Sequence, residues 1–371
     1  MLARHKLLIV NSDFYKDKSP AHYRLKALMS SLDADQWEVE VIGINYEECH
    51  EQKPLKKIWS IAKFLLDIAC KTNKDQLVLV SSSKLLTSVW VYFVSFFKRF
   101  LFVVDFRDIL FVNLKFSPSI IHVMAYPLAK VLTRAVEYKC ISIVINSPGF
   151  YKHLSVRSHG KTQLVLNGAD EVFMPTGTKL SGGKSEGKFI IGYAGNIGQS
   201  QGLQDFIPQL AMATGNQYEI RIVGNGKCKA ELENNLKVAN VDNVKIFDTV
   251  PREELIGFYN DCDVLLCSLR NTESMKDVMP SKLYEYVATG IPIIAGVKGV
   301  AEEYWKSKYN NIHFFDPMDV SFALKSLQYF QDLNFRRMSP PLQVHRQYQT
   351  VRFRSVLESA VNVSFSGPIE Y

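Results

Sequence analysis

The chain has no C-x-x-C pair. Its six cysteines, Cys49, Cys70, Cys140, Cys228, Cys262 and Cys267, are scattered and lack histidine partners at metal-ligand spacing. That pattern indicates neither a zinc site nor a disulfide framework, and points to a reducing cytoplasm. No apolar run is long enough to span a bilayer. Residues 85–97, ending in V-W-V-Y-F-V-S-F-F, reach about half a spanning length before Lys98 and Arg99 interrupt, and read as a buried or interfacial helix. The opening M-L-A-R-H-K-L-L-I-V enters a strand without a small-residue cleavage site, so no secretion signal is expected. The first strand runs into Asn11-Ser12-Asp13 in place of G-x-G-x-x-G, which counts against a dinucleotide dehydrogenase. There is no dense basic tract and no nucleic-acid-binding motif, so no nucleic-acid partner is expected.

What is present fits a large α/β enzyme. Of the 371 residues, 47% are hydrophobic and 22% charged, enough for two cores and too apolar for long disorder. Strand-like apolar runs alternate with helical patterns, the mark of parallel sheets built from strand-helix-strand units. Residues 7–11, 39–44, 77–81, 102–105 and 141–146 form a first set of strands. A second set comprises 189–194, 218–223, 244–247, 264–267 and 291–295. Between the sets, T-G-T-K-L-S-G-G-K-S-E-G-K after Pro175 holds little that could fill a core. The expected organisation is a Rossmann-like domain over 1–172, a linker over 173–188, a second Rossmann-like domain over 189–342, and a C-terminal helix within 343–371 packing back on the first domain. Ligands of such sheets bind beyond the carboxyl ends of the strands, so a cleft between the domains is the expected site.

The net charge of +7, 44 Lys and Arg against 37 Asp and Glu, favours an anionic partner. In the first half, basic residues interleave with large apolar ones: Lys56-Lys57-Ile58-Trp59, Lys63-Phe64-Leu65-Leu66, Phe96-Phe97-Lys98-Arg99-Phe100, and Phe111 to Phe116 around Lys115. Two readings stand. These are ordinary amphipathic helices over an aromatic core, or they hold one face of the protein against anionic headgroups.

The densest chemistry lies at D-V-M-P-S-K-L-Y-E-Y-V-A-T-G-I-P, residues 277–292. Ser281 is predicted to cap a helix, Pro280 to fix the approach to it, and Gly290 to end it in a left-handed turn. Free amides, the positive dipole end and Lys282 in the first turn make that terminus a site for phosphate. Glu285 lies four residues after Ser281 on the same face, where its carboxylate can accept both hydroxyls of a ribose. A dipole-favoured surface glutamate beside a plain cap is the alternative for this helix alone. Two D-x-D strings, Asp33-Ala34-Asp35 and Asp261-Cys262-Asp263, match a motif with which some metal-dependent enzymes bind their ion. Asp33 closes a helix and Asp263 opens a strand, both common structural uses, so no metal is expected.

The 277–292 segment resembles the signature of glycosyltransferase family 4, retaining enzymes of the GT-B fold. In that family two acidic residues bracket seven others; here they are Asp277, in place of the usual Glu, and Glu285. The resemblance extends over most of the chain. Leu166-Asn167-Gly168-Ala169-Asp170 with Phe173 and Pro175 is similar to the family's interdomain crossing. Ile191-Gly192-Tyr193-Ala194-Gly195-Asn196-Ile197-Gly198 is similar to its first C-domain strand and glycine turn, although Asn196 and Gln201 stand where many relatives carry Arg and Lys. Val104-Asp105-Phe106-Arg107-Asp108 resembles the D-x-R-D motif of the branch that builds bacterial O-antigen and capsule polysaccharide, the fucosamine-transferase-like branch. Arg24 also matches that branch.

The resemblance implies a GT-B protein of two Rossmann-like domains, acting as a cytoplasmic, membrane-associated retaining glycosyltransferase. The donor would be a nucleotide-sugar, most simply UDP-linked, bound as substrate with no cofactor. Gly195, Asn196, Gly198, Arg270, Ser281, Lys282, Leu283 and Glu285 would hold it. Lys282 would act as the electrophile, with Asp277 and Asp108 positioning the sugars and Arg24 and Arg107 facing the acceptor. That acceptor would be a polyprenyl-diphosphate-linked sugar or an oligosaccharide, met at the inner face of the cell membrane. Two rivals share the fold: a sugar-nucleotide epimerase, which would convert free UDP-sugar alone, and a non-catalytic relative that binds nucleotide or a partner without turnover.

Overall fold

The computed structural model describes residues 4–14, 20–44, 54–82, 84–116, 119–174, 187–332 and 337–365. They form two compact units, Met1–Asn167 with Arg346–Tyr371, and Gly168–His345. Most of the expected linker lies outside the described residues. Residues 168–172, grouped with the first domain on sequence, cluster with the second unit. Ala169 bridges to His345, and Arg252 pairs with Asp170, so these residues are tied to that unit by its own groups.

The first unit runs β1 (His5–Val10), α1 (Pro20–Ser31), β2 (Trp37–Ile42), α2 (Pro54–Lys71), β3 (Gln76–Ser82), α3 (Leu85–Lys98), β4 (Leu101–Phe106), α4 (Leu110–Lys115), α5 (Ile120–Lys139), β5 (Ser142–Ile145) and β6 (Thr162–Leu164). All its strands are parallel, in the order β2-β1-β3-β4-β5-β6. The inner strands, such as β1 and β4, are covered on both faces and read as near-continuous apolar runs, whereas edge strand β2 alternates glutamate with valine. Leu8, Val10, Val78, Val80 and Val104 meet α2, α3, α4 and α5 on one face. Leu7, Ile9, Leu77, Leu79 and Val103 meet α1 and a helix from the far end of the chain on the other.

The second unit runs β7 (Phe189–Ala194), α6 (Leu203–Thr214), β8 (Tyr218–Val223), α7 (Lys229–Val238), β9 (Val244–Phe247), α8 (Arg252–Asn260), β10 (Val264–Ser268), α9 (Ser281–Thr289), β11 (Ile293–Gly296), α10 (Val300–Lys306), β12 (Ile312–Phe315) and α11 (Val320–Asp332). Its parallel sheet has the order β12-β11-β10-β7-β8-β9. The order turns back on itself between β7 and β10, the place where doubly wound sheets receive ligands. The last helix, α12 (Arg346–Phe365), returns to the first unit, where Phe353, Val356, Leu357 and Ala360 are buried against α1 and the sheet. Each sheet has one strand more than expected on sequence, β6 and β12. No helix among the described residues is long and apolar enough to cross a membrane.

Candidate active site

In the second unit, the loops leaving β7, β8 and β10 are stitched together at the switch point. After β7, the Gly195 amide donates to the Val223 carbonyl at 2.8 Å and the Ile197 amide to the Asn225 carbonyl at 2.9 Å. Gly224 makes this approach possible, since a Cβ there would stand 1.9 Å from the Gly195 carbonyl oxygen. After β10, the Arg270 amide donates to the Ser200 carbonyl at 2.8 Å, and its guanidinium Nε to that of Gln199 at 2.8 Å. Arg270 also pairs with Asp205 in the first turn of α6, so its charge is already matched by a carboxylate. Asn196 and Gln201 hydrogen-bond to each other at 3.1 Å, a neutral link across the loop at the positions noted as lacking a basic pair.

The start of α9 meets this loop. Pro280, not Ser281, is the capping residue: its extended backbone, φ −61° and ψ 125°, precedes a helix that opens at Ser281, and no side chain caps it. The prediction that Ser281 caps the helix is therefore corrected. Proline already fixes the φ that the capping position needs, which brings the helix start one residue earlier than expected and leaves first-turn amides without a side-chain partner. Left-handed Gly290 closes the helix, as the sequence predicts. Leu283 is wholly buried, whereas Ser281, Lys282 and Glu285 keep partial exposure.

Lys282 extends from that first turn beneath the β7 loop. Its ammonium sits 4.6 Å from the centroid of the Tyr193 ring. Gly195 leaves room for it, with φ +136° and a hypothetical Cβ only 2.6 Å from the Lys282 nitrogen. Burial works against the ammonium, but the face of the Tyr193 ring and the Glu285 carboxylate outweigh it and raise the lysine pKa, so Lys282 is a fixed cation. Burial also raises the Tyr193 phenol and pushes the Cys267 thiol up to about 12, which keeps both neutral. The Tyr193 hydroxyl donates to the Asn196 carbonyl at 2.6 Å, holding the glycine turn against the lysine. Tyr193 reads on sequence as part of a strand, and nothing there marks it as the platform for Lys282.

Glu285 is already engaged by a residue that the sequence motifs do not contain. Arg252, the first residue of α8, donates to Glu285 through Nη2 at 2.6 Å and pairs through Nε with Asp170 at 2.8 Å. Its guanidinium lies 4.7 Å from the Phe173 ring centroid. One arginine thus fixes the orientation of the carboxylate assigned to ribose and also secures the crossing segment. Asp277 is buried at the end of the turn Met275–Asp277.

The first unit has its own polar cluster at the carboxyl ends of its strands. Asp105, fully buried at the end of β4, accepts Arg24 at 3.1 and 3.3 Å and Ser81 Oγ at 2.7 Å. Arg24 also donates to the Leu166 carbonyl at 2.9 Å and lies 4.8 Å from the Phe353 ring centroid. It is buried within its own unit, where it ties α1, β4 and α12 together. Arg107 and Asp108 follow β4. Burial lowers the Arg107 pKa against the pull of Asp105, and its buried Nε has no hydrogen-bond partner among the described residues. Asp108 has an exposed surface, yet the protein crowded around it raises its carboxyl pKa, opposed by Arg107. Asp263 accepts the Ile190 amide at 2.7 Å, a structural use at the start of β10.

Residues 179–338 match the family model described as glycosyl transferases group 1. No curated protein sequence matches the chain. Among solved structures, Anabaena HepE in complex with UDP and glucose is similar, with a TM-score of 0.66 at 14% identity, covering 98% of this chain and 100% of that one. The lipopolysaccharide outer core galactosyltransferase WaaB gives 0.60 at 12%, covering 97% of this chain and 100% of its own. A putative UDP-N-acetylglucosamine 2-epimerase from Listeria monocytogenes gives 0.60 at 10%, covering 97% and 98%. These likenesses show the fold, which is GT-B, with two parallel six-stranded sheets and interspersed helices.

Proposed function

We propose that the protein is a retaining, metal-independent glycosyltransferase of family 4 that moves a sugar from a UDP-linked donor to a lipid-linked or oligosaccharide acceptor. It would serve bacterial surface polysaccharide synthesis, O-antigen or capsule, from the cytoplasm at the inner face of the cell membrane. The observation that carries the reading is the convergence of Lys282, the Gly195 turn and the open first turn of α9 at the switch point of the second sheet. A fixed cation and free amides at one point suit a diphosphate leaving group. The match of 179–338 to a transferase family favours this over an epimerase, a fold neighbour that the architecture alone does not separate.

In this reading the ribose hydroxyls bond Glu285, whose carboxylate Arg252 holds in place. The diphosphate rests on the Asn196 and Gly198 amides, which the links from Gly195 and Ile197 to the β8 loop leave over, and on those at the start of α9, beside Ser281 and Leu283. Asn196 and Arg270 brace the loop. As the bond from the sugar's anomeric carbon to the phosphate oxygen breaks, charge grows on that oxygen and Lys282 stabilises it. The acceptor hydroxyl attacks from the same face and gives its proton to the leaving phosphate. Asp277 and Asp108 orient the sugars and Arg107 meets the acceptor, while buried Arg24, expected to face it, is held by Asp105 and the Leu166 carbonyl.

Calorimetric titration of UDP, GDP and NAD into the protein and its Glu285→Ala variant tests the donor site. Selective UDP binding that the variant loses is expected; binding untouched by the substitution, or no nucleotide binding at all, sinks the assignment. Unaltered UDP-sugar after incubation without acceptor separates the transferase from an epimerase.

A further inference from the structure

The positive charge of the chain is concentrated in one segment. Residues 54–140 hold 13 Lys and Arg against 5 Asp and Glu, an excess of 8, while the remaining residues carry 31 against 32. Two of those five acids are buried and paired, Asp105 with Arg24 and Glu137 with Arg134. The segment contains α2, α3, α4 and α5, the helices that cover one face of the first sheet.

Their outer side is apolar. Trp59 on α2 is 66% exposed, Phe97 on α3 86%, and Ile120, Met124 and Leu128 on α5 75%, 75% and 64%. On α5, Ala129, Thr133 and Val136 are buried, and the exposed residues fall on the opposite side at helical spacing. From Ile120 to Ala129 there is no charged residue, and Lys115 and Lys130 flank the stretch. The helices are laced into one surface: the Trp90 indole on α3 donates to the Leu65 carbonyl on α2 at 2.8 Å, and Lys139 of α5 lies 5.1 Å from the centroid of Phe96 on α3. Soluble monomers rarely leave so many large apolar side chains together in water.

We infer that the outer face of α2, α3 and α5 docks on an anionic lipid bilayer, with residues 120–128 entering the headgroup boundary and the surrounding lysines on lipid phosphates. Charge selects this occupant. A second copy would set two strongly positive faces together, which repel, whereas anionic lipid complements them, and lysine stems extend beside apolar side chains to reach phosphate. The proposal gives a physical surface to the membrane location named above and rests on that reading only for its biological setting.

The test is flotation of the whole protein with phosphatidylcholine vesicles with and without phosphatidylglycerol. Wild-type protein is expected to float with the anionic vesicles and to be released as salt rises. Met124→Glu combined with Leu128→Glu is expected to cut binding by at least about tenfold, and Lys98→Glu with Arg99→Glu to remove the preference for anionic lipid. UDP titration of each variant reports separately on the second unit, and the vesicles carry no sugar acceptor, so failure of the docking face and failure of the donor site are distinguishable. Wild type that stays in solution, Met124/Leu128 variant protein that floats equally well, or a wild-type dimer dissolved by the same substitutions would each overturn the inference.

Discussion

Lys282 combines two properties that usually oppose each other, an ammonium enclosed by Tyr193 and the Gly195 turn and a retained charge. Its cost in solvation is offset by the Tyr193 ring and by Glu285 one turn along the same helix, so no rearrangement is needed when charge develops on a leaving phosphate. Lys282→Gln, which keeps the stem and removes the charge, is expected to lower kcat with a saturating UDP-sugar by about 10²- to 10³-fold. Unchanged turnover would remove the lysine from the mechanism. Asp108 gives a pH prediction. Its folded pKa is raised above 3.8, so the fold favours the protonated acid. That contribution to stability is present below the unfolded pKa and is lost as pH rises through the folded one. Asp108→Asn should therefore raise the melting temperature at pH 7 and leave it nearly unchanged near pH 3. Equal shifts at both values would show that the carboxyl does not titrate abnormally.

Helix α12 is the element whose place depends most on distant partners. It begins where Gln349 accepts the Leu166 amide at 3.0 Å and Arg346 donates to the Asn167 carbonyl at 2.9 Å, and it buries Phe353 beside Arg24. Phe353→Ala is expected to destabilise the first unit by about 3–5 kcal/mol, read as an earlier urea midpoint for that unit; a change near zero would mean that α12 is not part of that core. Its helical pattern was legible in the sequence, and so were ten of the strands, the inner ones such as β10 as short continuous apolar runs and β2, β8 and β9 as alternating ones. The missing two lack that mark: β6 is the three residues T-Q-L, and β12 carries His313 within I-H-F-F. Lys282 and Glu285 were legible as a pattern of spacing. Arg252 was not, since it pairs with Glu285 across 33 residues and belongs to no motif. Ser281 misled because serine is a good cap in general, and here the preceding proline takes the position. The apolar side of α5 was hidden for a different reason: aliphatic residues at helical spacing look the same whether they face a sheet or water, and only the burial of Ala129 and Val136 decides which.

At the scale of the whole molecule, each unit has its own cores. The first buries two layers against its sheet, and the second centres on Tyr193, Phe206, Leu210 and Ile294. The proposed nucleotide site draws Gly195, Lys282, Glu285 and Arg252 from the second unit alone. A ligand stabilises whatever structure must be folded to bind it, by about 2.7 kcal/mol when it is present at 100 times its dissociation constant. A chain with separate cores need not unfold in one step. Scanning calorimetry should then resolve two transitions, with UDP raising the one that belongs to the second unit and leaving the other in place. Phe353→Ala should lower that other transition without abolishing the UDP shift. A single transition displaced as a whole by UDP would show that the cores melt together, and that the chain recovers in cooperativity what it divides in architecture. Two transitions that respond separately would mean that the donor site stays assembled while the first unit is open.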